Sequence, residues 1–355
     1  MEYRRLTFVL ICCFIAIFYL FSKILIPAGH HKLNDKSKIC APKSGLITIW
    51  DDGRLGNNMC SYATLCAYAI KYNLKPMLTP KLGQNLNIFP HLSIKPMNCE
   101  FREKDWTKFS IDEFRKTNLS LQELSKMNVK IDTYSCELPE FHHFRKYLSY
   151  EFRMEDKIER KAQRFLSRFH GPKVGIHVRR TDFVQLYGSK YHKNIPSKLF
   201  YDKVSKRKME KKLHFLDQMN IFVFKAMNYF KQKYSNVTFI VTSDDKKWCQ
   251  KFLAESNPDD VIVTSEENSR ELDLAIMKHC NHSIVSVGTF GFWTGYLHLN
   301  GEVIRASNFP NPKWTQTNLP SWQLFEDPCF IIDSKLTEEC LKHSKEYGIT
   351  LWHEK

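Results

Sequence analysis

Short apolar runs that end in turns rich in Gly, Thr, Ser or Asp and then pass into helix-forming segments recur along this chain, and that alternation restricts its fold most. The runs are Leu46–Trp50, Lys173–Val178, Val237–Thr242, Val261–Thr264 and Ser283–Val287. Their length and β-branched content read as strands, and their nearly unbroken apolar character reads as burial on both faces. Helical segments follow at Met59–Ile70, within Lys211–Lys233, at 246–255, at Glu271–His279 and after Gly288. Strands alternating with helices imply parallel sheets covered on both sides. One unit opens at Leu46 and a second series at Lys173; between them, 75–160 reads as irregular, weakly helical near 111–127 and 151–168. The expected fold is α/β, with two Rossmann-like lobes facing a cleft: an N-terminal lobe over 45–168 and a C-terminal lobe over 169–355. Ligands in such sheets bind beyond the carboxyl ends of the strands.

A second feature fixes the compartment. Leu6–Ser22 carries no charge before Lys23, and Ile24–Ile26 extends the apolar run. About 20 helical residues span a bilayer core, whereas the apolar part of a cleaved signal peptide is about 7–15 residues long. The expectation is a cytosolic tail over 1–5, a transmembrane signal anchor over 6–26 and a stem over 27–44. Arg4 and Arg5 put the tail in the cytosol and the remainder in the lumen. A net charge of +15 asks for an anionic partner, and a lumenal chain excludes nucleic acid, which leaves an acidic membrane surface or a small acidic molecule such as a nucleotide sugar. Asn118, Asn236 and Asn281 head Asn-x-Ser/Thr triplets and are candidate glycosylation sites. Of the 11 cysteines, Cys40, Cys99, Cys136, Cys329 and Cys340 lie in loop-like surroundings that suit disulfides. Cys60 and Cys66 share one helix and do not bond to each other.

Four turns carry candidate chemistry. In Gly175–Asp182 (GIHVRRTD), strand alternation places Ile176 and Val178 on one face and His177 and Arg179 on the other. Arg179 then emerges at the strand end aimed at the cleft, where a guanidinium fork can grip a diphosphate. Arg180 starts on the opposite side, with Asp182 as its expected partner in bracing the turn. Both arginines equally suit structural salt bridges. Asp244 and Asp245 follow an apolar strand, a place for contacts to a ribose or base edge, and Ser243 or Asp244 suits a helix N-cap as well. Gly288-Thr289-Phe290 and Gly53–Asn58 (GRLGNN) put small residues before helices, where backbone amides suit a phosphate; Asn57 or Asn58 is placed to cap the first helix. The acidic pairs 51–52, 244–245 and 259–260 are adjacent rather than spaced as Asp-x-Asp. Cationic side chains can neutralise a leaving diphosphate in place of a metal.

These segments resemble a known family. His177–Asp182, Phe239–Asp245 (FIVTSDD) and His279–Trp293 resemble, in order, three motifs shared by the α-1,2-, α-1,6- and protein O-fucosyltransferases. Gly53–Asn58 followed by Tyr62–Leu65 (YATL) is similar to the amino-terminal motif of the galactoside α-1,2-fucosyltransferases, with Asn57-Asn58 where Asn-Gln is usual. The stretch after Trp293 departs from the small residues typical there. The resemblance implies a single-pass type II Golgi membrane enzyme of GT-B-like fold, with GDP-β-L-fucose as donor, inversion at the sugar and no metal or other cofactor. It implies Arg179 as diphosphate ligand with Arg180 in support, and His177, Asp244 and Asp245 as contacts to guanine and ribose. Thr289 and Phe290 would line the donor pocket, with Gly56 and Asn57 near the fucose and phosphate. Asp182 is a candidate general base. The acceptor expected is the 2-hydroxyl of a β-galactoside. Another acceptor, such as a core N-glycan or protein hydroxyl, or a non-catalytic lumenal glycan-binding protein on the same fold, are the alternatives.

Overall fold

The computed structural model describes residues 44–97, 101–181, 222–286, 288–298, 300–306 and 322–325. The expected tail, the anchor at 6–26, the stem up to residue 43, and Asp182 lie outside the described residues. Among those described, no helix is long and apolar enough to cross a membrane.

Two parallel sheets form the frame. The first contains β1 (Leu46–Ile49), β2 (Lys75–Pro76), β3 (Thr107–Phe109) and β4 (Val129–Ile131) in the order β2-β1-β4-β3. The second contains β5 (Lys173–Val178), β6 (Thr238–Ser243), β7 (Val261–Val263), β8 (His282–Val285), β9 (Val303–Ala306) and β10 (Trp322–Phe325) in the order β10-β9-β8-β5-β6-β7. Register pairs Ile47 with Val129 in the first, and His177 with both Thr242 and Val285 in the second. The sequence expectation of irregular structure over 75–160 is corrected by β2, β3 and β4. Pro76 sits in an edge strand, where a missing N–H costs nothing in the ladder. β4 hides behind Lys130, whose ammonium is buried yet held by Glu103 and Asp132, each at 2.8 Å.

The first long helix, α1 (Leu55–Lys71), begins four residues before the expected Met59. Its N-cap is Arg54, without a side-chain capping bond, so Asn57 and Asn58 lie inside the first turn rather than capping it. Asn58 instead donates back to the carbonyls of Gly53 (3.1 Å) and Arg54 (3.0 Å). The helix is buried on nearly every side because it is sandwiched between the first sheet and α5 (Thr289–Tyr296). Before α5 come α2 (Asp156–Leu166), α3 (Lys246–Cys249) and α4 (Arg270–Lys278), with a further helix over 222–233.

One apolar cluster runs from Ile47 and Ile49 through α1 to Phe292, Trp293 and Tyr296, so the two sheets share a core. The other face of the second sheet, with Val174, Ile176 and Val178, packs on Phe222, Met227 and Phe230. Polar ties reinforce the shared side. Arg145 donates to the main-chain oxygens of Tyr296 (2.8 Å) and His298, where a cation complements the carboxyl end of α5. Glu159 of α2 pairs with Lys278 at 3.4 Å and with His279. Cys60 of α1 is disulfide-bonded to Cys136, across 76 residues. Cys136 is one of the foreseen bridge members; Cys60, being helical, was not among them.

Candidate active site

β5 carries the site. Gly175 and His177 face the helices: a Cβ at Gly175 would lie 2.8 Å from Met277 Sδ, and one at Gly291 would lie 2.5 Å from His177 Nδ1. Ile176 and Val178 point into the opposite cluster, as strand alternation requires. Close approach of α5 explains both glycines.

At the carboxyl end of β5 the chain turns through Arg179, Arg180 and Thr181, and Asp244 gathers all three. Arg179 Nη1 and Thr181 Oγ1 both reach Asp244 Oδ2 at 2.5 Å, and the Arg180 amide donates to Oδ1 at 2.8 Å. The Arg179 amide donates to Ser286 Oγ at 2.9 Å, which fixes the turn against the end of β8. Arg180 donates from Nε to Asp245 at 3.2 Å and lies over the Trp248 ring, 3.6 Å from its centroid. The expected partner of Arg180, Asp182, is outside the described residues. The partners in view are Asp245 and Trp248, across the β5–β6 seam, so the arginine is braced by the neighbouring strand. Asp245 also caps α3, accepting from the Trp248 amide at 3.2 Å; neither Ser243 nor Asp244 does so. Asp244 and Asp245 are therefore the holders of the two arginines, a role that sequence reading assigned to neither.

His177 is 4% exposed, its ring 5.3 Å from that of Phe290. Burial depresses its pKa to about 4, with Asp244 opposing and Arg179 adding to the shift, so the imidazole is neutral at physiological pH. Thr289 Oγ1 donates to Asn57 Oδ1 at 2.7 Å, and Trp293 Nε1 donates to the Gly56 carbonyl at 3.0 Å. A Cβ at Gly56 would fall 2.6 Å from the Phe290 amide nitrogen and 2.7 Å from Thr289 Oγ1. The first turns of α1 and α5 thus meet face to face. Gly56 is filled by that contact, while Asn57 spans it. Helix starts carry amides without intrahelical acceptors and a positive dipole end, and here two of them converge near the arginine turn.

Nine of the sequence-selected residues therefore form one connected group: Arg179, Arg180, Asp244 and Asp245 on one side, His177, Phe290, Thr289, Asn57 and Gly56 on the other. Thr181, Trp248 and Ser286 belong to it and were missed; Ser286 stood within the third motif, but nothing in its local pattern marked a turn anchor. Asn118, Asn236 and Asn281 are all exposed. Asn281 Oδ1 accepts from the Lys173 amide at 2.8 Å, and Ser283 of the same triplet is fully buried on β8.

The sequence profile of glycosyl transferase family 11 matches residues 13–323. The galactoside alpha-(1,2)-fucosyltransferase 1 of Sus scrofa is 28% identical over 282 residues, 77% of this chain and 70% of the relative. The galactoside 2-alpha-L-fucosyltransferase Sec1 of Mus musculus is 28% identical, covering 80% of this chain and 72% of the relative. Among solved structures, a mutant Arabidopsis thaliana FUT1 in complex with GDP superposes with a TM-score of 0.47 at 14% identity, covering 81% of this chain and 75% of that one. The NodZ alpha-1,6-fucosyltransferase soaked with GDP-fucose gives 0.45 at 14% identity, covering 76% of this chain and 97% of that one.

Proposed function

The chain belongs to glycosyl transferase family 11, and from that premise we propose that it moves L-fucose from GDP-β-L-fucose to the 2-hydroxyl of a β-galactoside, forming an α-1,2 linkage with inversion. The observation that carries the reading is the arginine turn at the end of β5, held by Asp244 and Asp245 beside the paired starts of α1 and α5. The acceptor oxygen forms its bond to the fucose anomeric carbon as the bond to the GDP oxygen breaks. Negative charge grows on the departing diphosphate, so a guanidinium already fixed in place lowers the barrier without reorganisation. Arg179 supplies that charge; Arg180, clamped between Asp245 and Trp248, positions the turn. Neutral His177 and the Phe290 ring line the donor side, Asn57 and Thr289 its floor. The proton leaving the acceptor goes to a base, for which Asp182 is the candidate. We place acceptor recognition in the N-terminal lobe of a GT-B-like pair, with catalysis independent of metal. We also place the enzyme in the Golgi membrane as a single-pass type II protein anchored by 6–26, which the apolar run and its flanking arginines support.

The test is linkage analysis of the product that the full-length enzyme makes from GDP-fucose and a galactoside panel, with and without a chelator. An α-1,2-fucosyl galactoside that is insensitive to chelation is expected. Transfer to a different position or to protein would replace the acceptor assignment, and GDP binding without turnover would favour a glycan-binding role.

A further inference from the structure

β1 and β4 are neighbours, and an aromatic residue follows the carboxyl end of each. Trp50 follows β1 directly, its amide donating to the Ile131 carbonyl at 2.7 Å. Tyr134 stands three residues beyond β4, 37% exposed, with its ring edge-on to Trp50 (centroids 5.3 Å apart, planes at 73°). The corner is rigid. Cys136, two residues after Tyr134, is bonded to Cys60, and Thr133 Oγ1 accepts from the Ile111 amide at 2.9 Å. Asp51 and Asp52 follow Trp50 directly in the chain: Asp51 Oδ2 accepts from Thr79 at 2.6 Å, and Asp52 pairs with Lys81 at 3.2 Å. The corner also adjoins the seam of the site. At Gly53, where φ is +86°, a Cβ would lie 3.1 Å from Trp50 Cη2 and 2.6 Å from Asn57 Nδ2, and Asn57 is the residue bonded to Thr289.

We infer that Trp50 and Tyr134 form the subsite that holds the acceptor sugar, a neutral pyranose laid with its C–H face on the Tyr134 ring. The inference rests on the fucosyl-transfer reading and adds to it the residues that choose the acceptor. Beyond the carboxyl ends of parallel strands is where such sheets place ligands. A pyranose has one face of C–H groups and a rim of hydroxyls. That combination matches a partly exposed aromatic ring with the carboxylates of Asp51 and Asp52 next along the chain from its Trp50 neighbour. The diphosphate of the donor calls for the opposite chemistry, which the Arg179 turn provides. Galactosides suit the platform because their axial 4-hydroxyl leaves the opposite ring face continuously apolar.

Binding of phenyl β-D-galactoside to the detergent-solubilised full-length enzyme, with GDP present, separates the possibilities by titration calorimetry alongside steady-state kinetics. Tyr134→Ala is expected to weaken galactoside binding and raise the acceptor KM about tenfold, one stacking contact of roughly 1.4 kcal/mol. KM for GDP-fucose should stay near wild type while the melting temperature falls by a few degrees with the lost Trp50 contact, and Tyr134→Phe should restore both the acceptor KM and the melting temperature, since only the ring is needed. Wild-type galactoside binding by Tyr134→Ala would overturn the subsite while leaving fucosyl transfer intact. A rise in GDP-fucose KM instead would assign the corner to the donor. If the wild-type enzyme binds GDP but no galactoside, the galactoside reading fails and this subsite fails with it.

Discussion

Gly56→Ala puts the contact between α1 and α5 to a test in which even the sign of the effect is informative. Gly56 lies in the first turn of a regular helix with an ordinary negative φ, so alanine fits its backbone. In an open helix the change would stabilise the protein by about 0.5–1 kcal/mol through unfolded-state entropy and helix propensity. Here the added methyl would sit 2.6 Å from the Phe290 nitrogen and 2.7 Å from both the Thr289 carbonyl carbon and Oγ1. Two of those three neighbours are backbone atoms at the start of α5, so the helices must move apart. Overpacking of this kind costs about 1–3 kcal/mol, and separation also weakens the Thr289–Asn57 and Trp293–Gly56 hydrogen bonds, at about 1 kcal/mol each. Net destabilisation of roughly 2–4 kcal/mol is expected, a fall of several degrees in melting temperature at about 2–4 °C per kcal/mol for a chain of this size. Differential scanning fluorimetry with and without GDP, paired with turnover, reads both effects. Turnover should drop further than stability, because Asn57 and Thr289 belong to the proposed donor site, which the separation opens. A Gly56→Ala protein that melts at or above wild type with full activity would refute the view that this seam is close-packed.

Other outcomes follow from the same structure. Arg179→Ala should lower kcat by about two to three orders of magnitude, and Arg179→Lys should recover only part of it because an ammonium lacks the fork; near-wild-type turnover in both would remove Arg179 from the donor site. Cys60→Ser with Cys136→Ser should destabilise by up to about 4.5 kcal/mol, the entropic limit for a 76-residue span, and melting in reductant should reproduce it. His177 and His298 are buried with pKa values held down to about 4, so both stay neutral while the unfolded chain takes up protons below about 6.5. Stability should therefore fall as pH drops from about 6.5 toward 4, and His177→Gln should flatten that slope in melting curves taken across the window; an unchanged slope would mean the imidazole is reached by solvent.

What could be read beforehand tracks how strongly local sequence and burial agree. β5 matches its sequence bounds at both ends because a parallel central strand is apolar on two faces and stops where charge begins. β2 to β4 escaped notice because they are two or three residues long and owe their existence to neighbours, as the paired Lys130 ammonium shows. β9 and β10 escaped for a related reason: Arg305 and Gln323 interrupt their apolar runs. The glycine-rich segment at 53–58 reads in sequence as a turn ahead of the helix. Its Gly56 is helical, and only the distant Phe290 explains why no larger residue fits. Likewise Asp244 and Asp245 were located correctly at the end of β6, whereas their bonds to Arg179 and Arg180 depend on strand register 65 positions away in sequence. Motifs announce which residues matter; the partner of each is set by tertiary contact.

The eight-residue α5 is gripped at both ends by residues earlier in the chain, by Gly56 and Asn57 at its start and by Arg145 at its finish. Exchanging lobes between this enzyme and a relative, a common route to hybrid transferases with one donor and a new acceptor, would therefore cut through a packed interface rather than a linker. A working chimera has to carry α1, Arg145 and α5 together as a single cassette, with the crossover placed elsewhere in the chain. With the acceptor at the proposed Trp50–Tyr134 corner, its preference is more easily altered by point changes there than by trading whole halves.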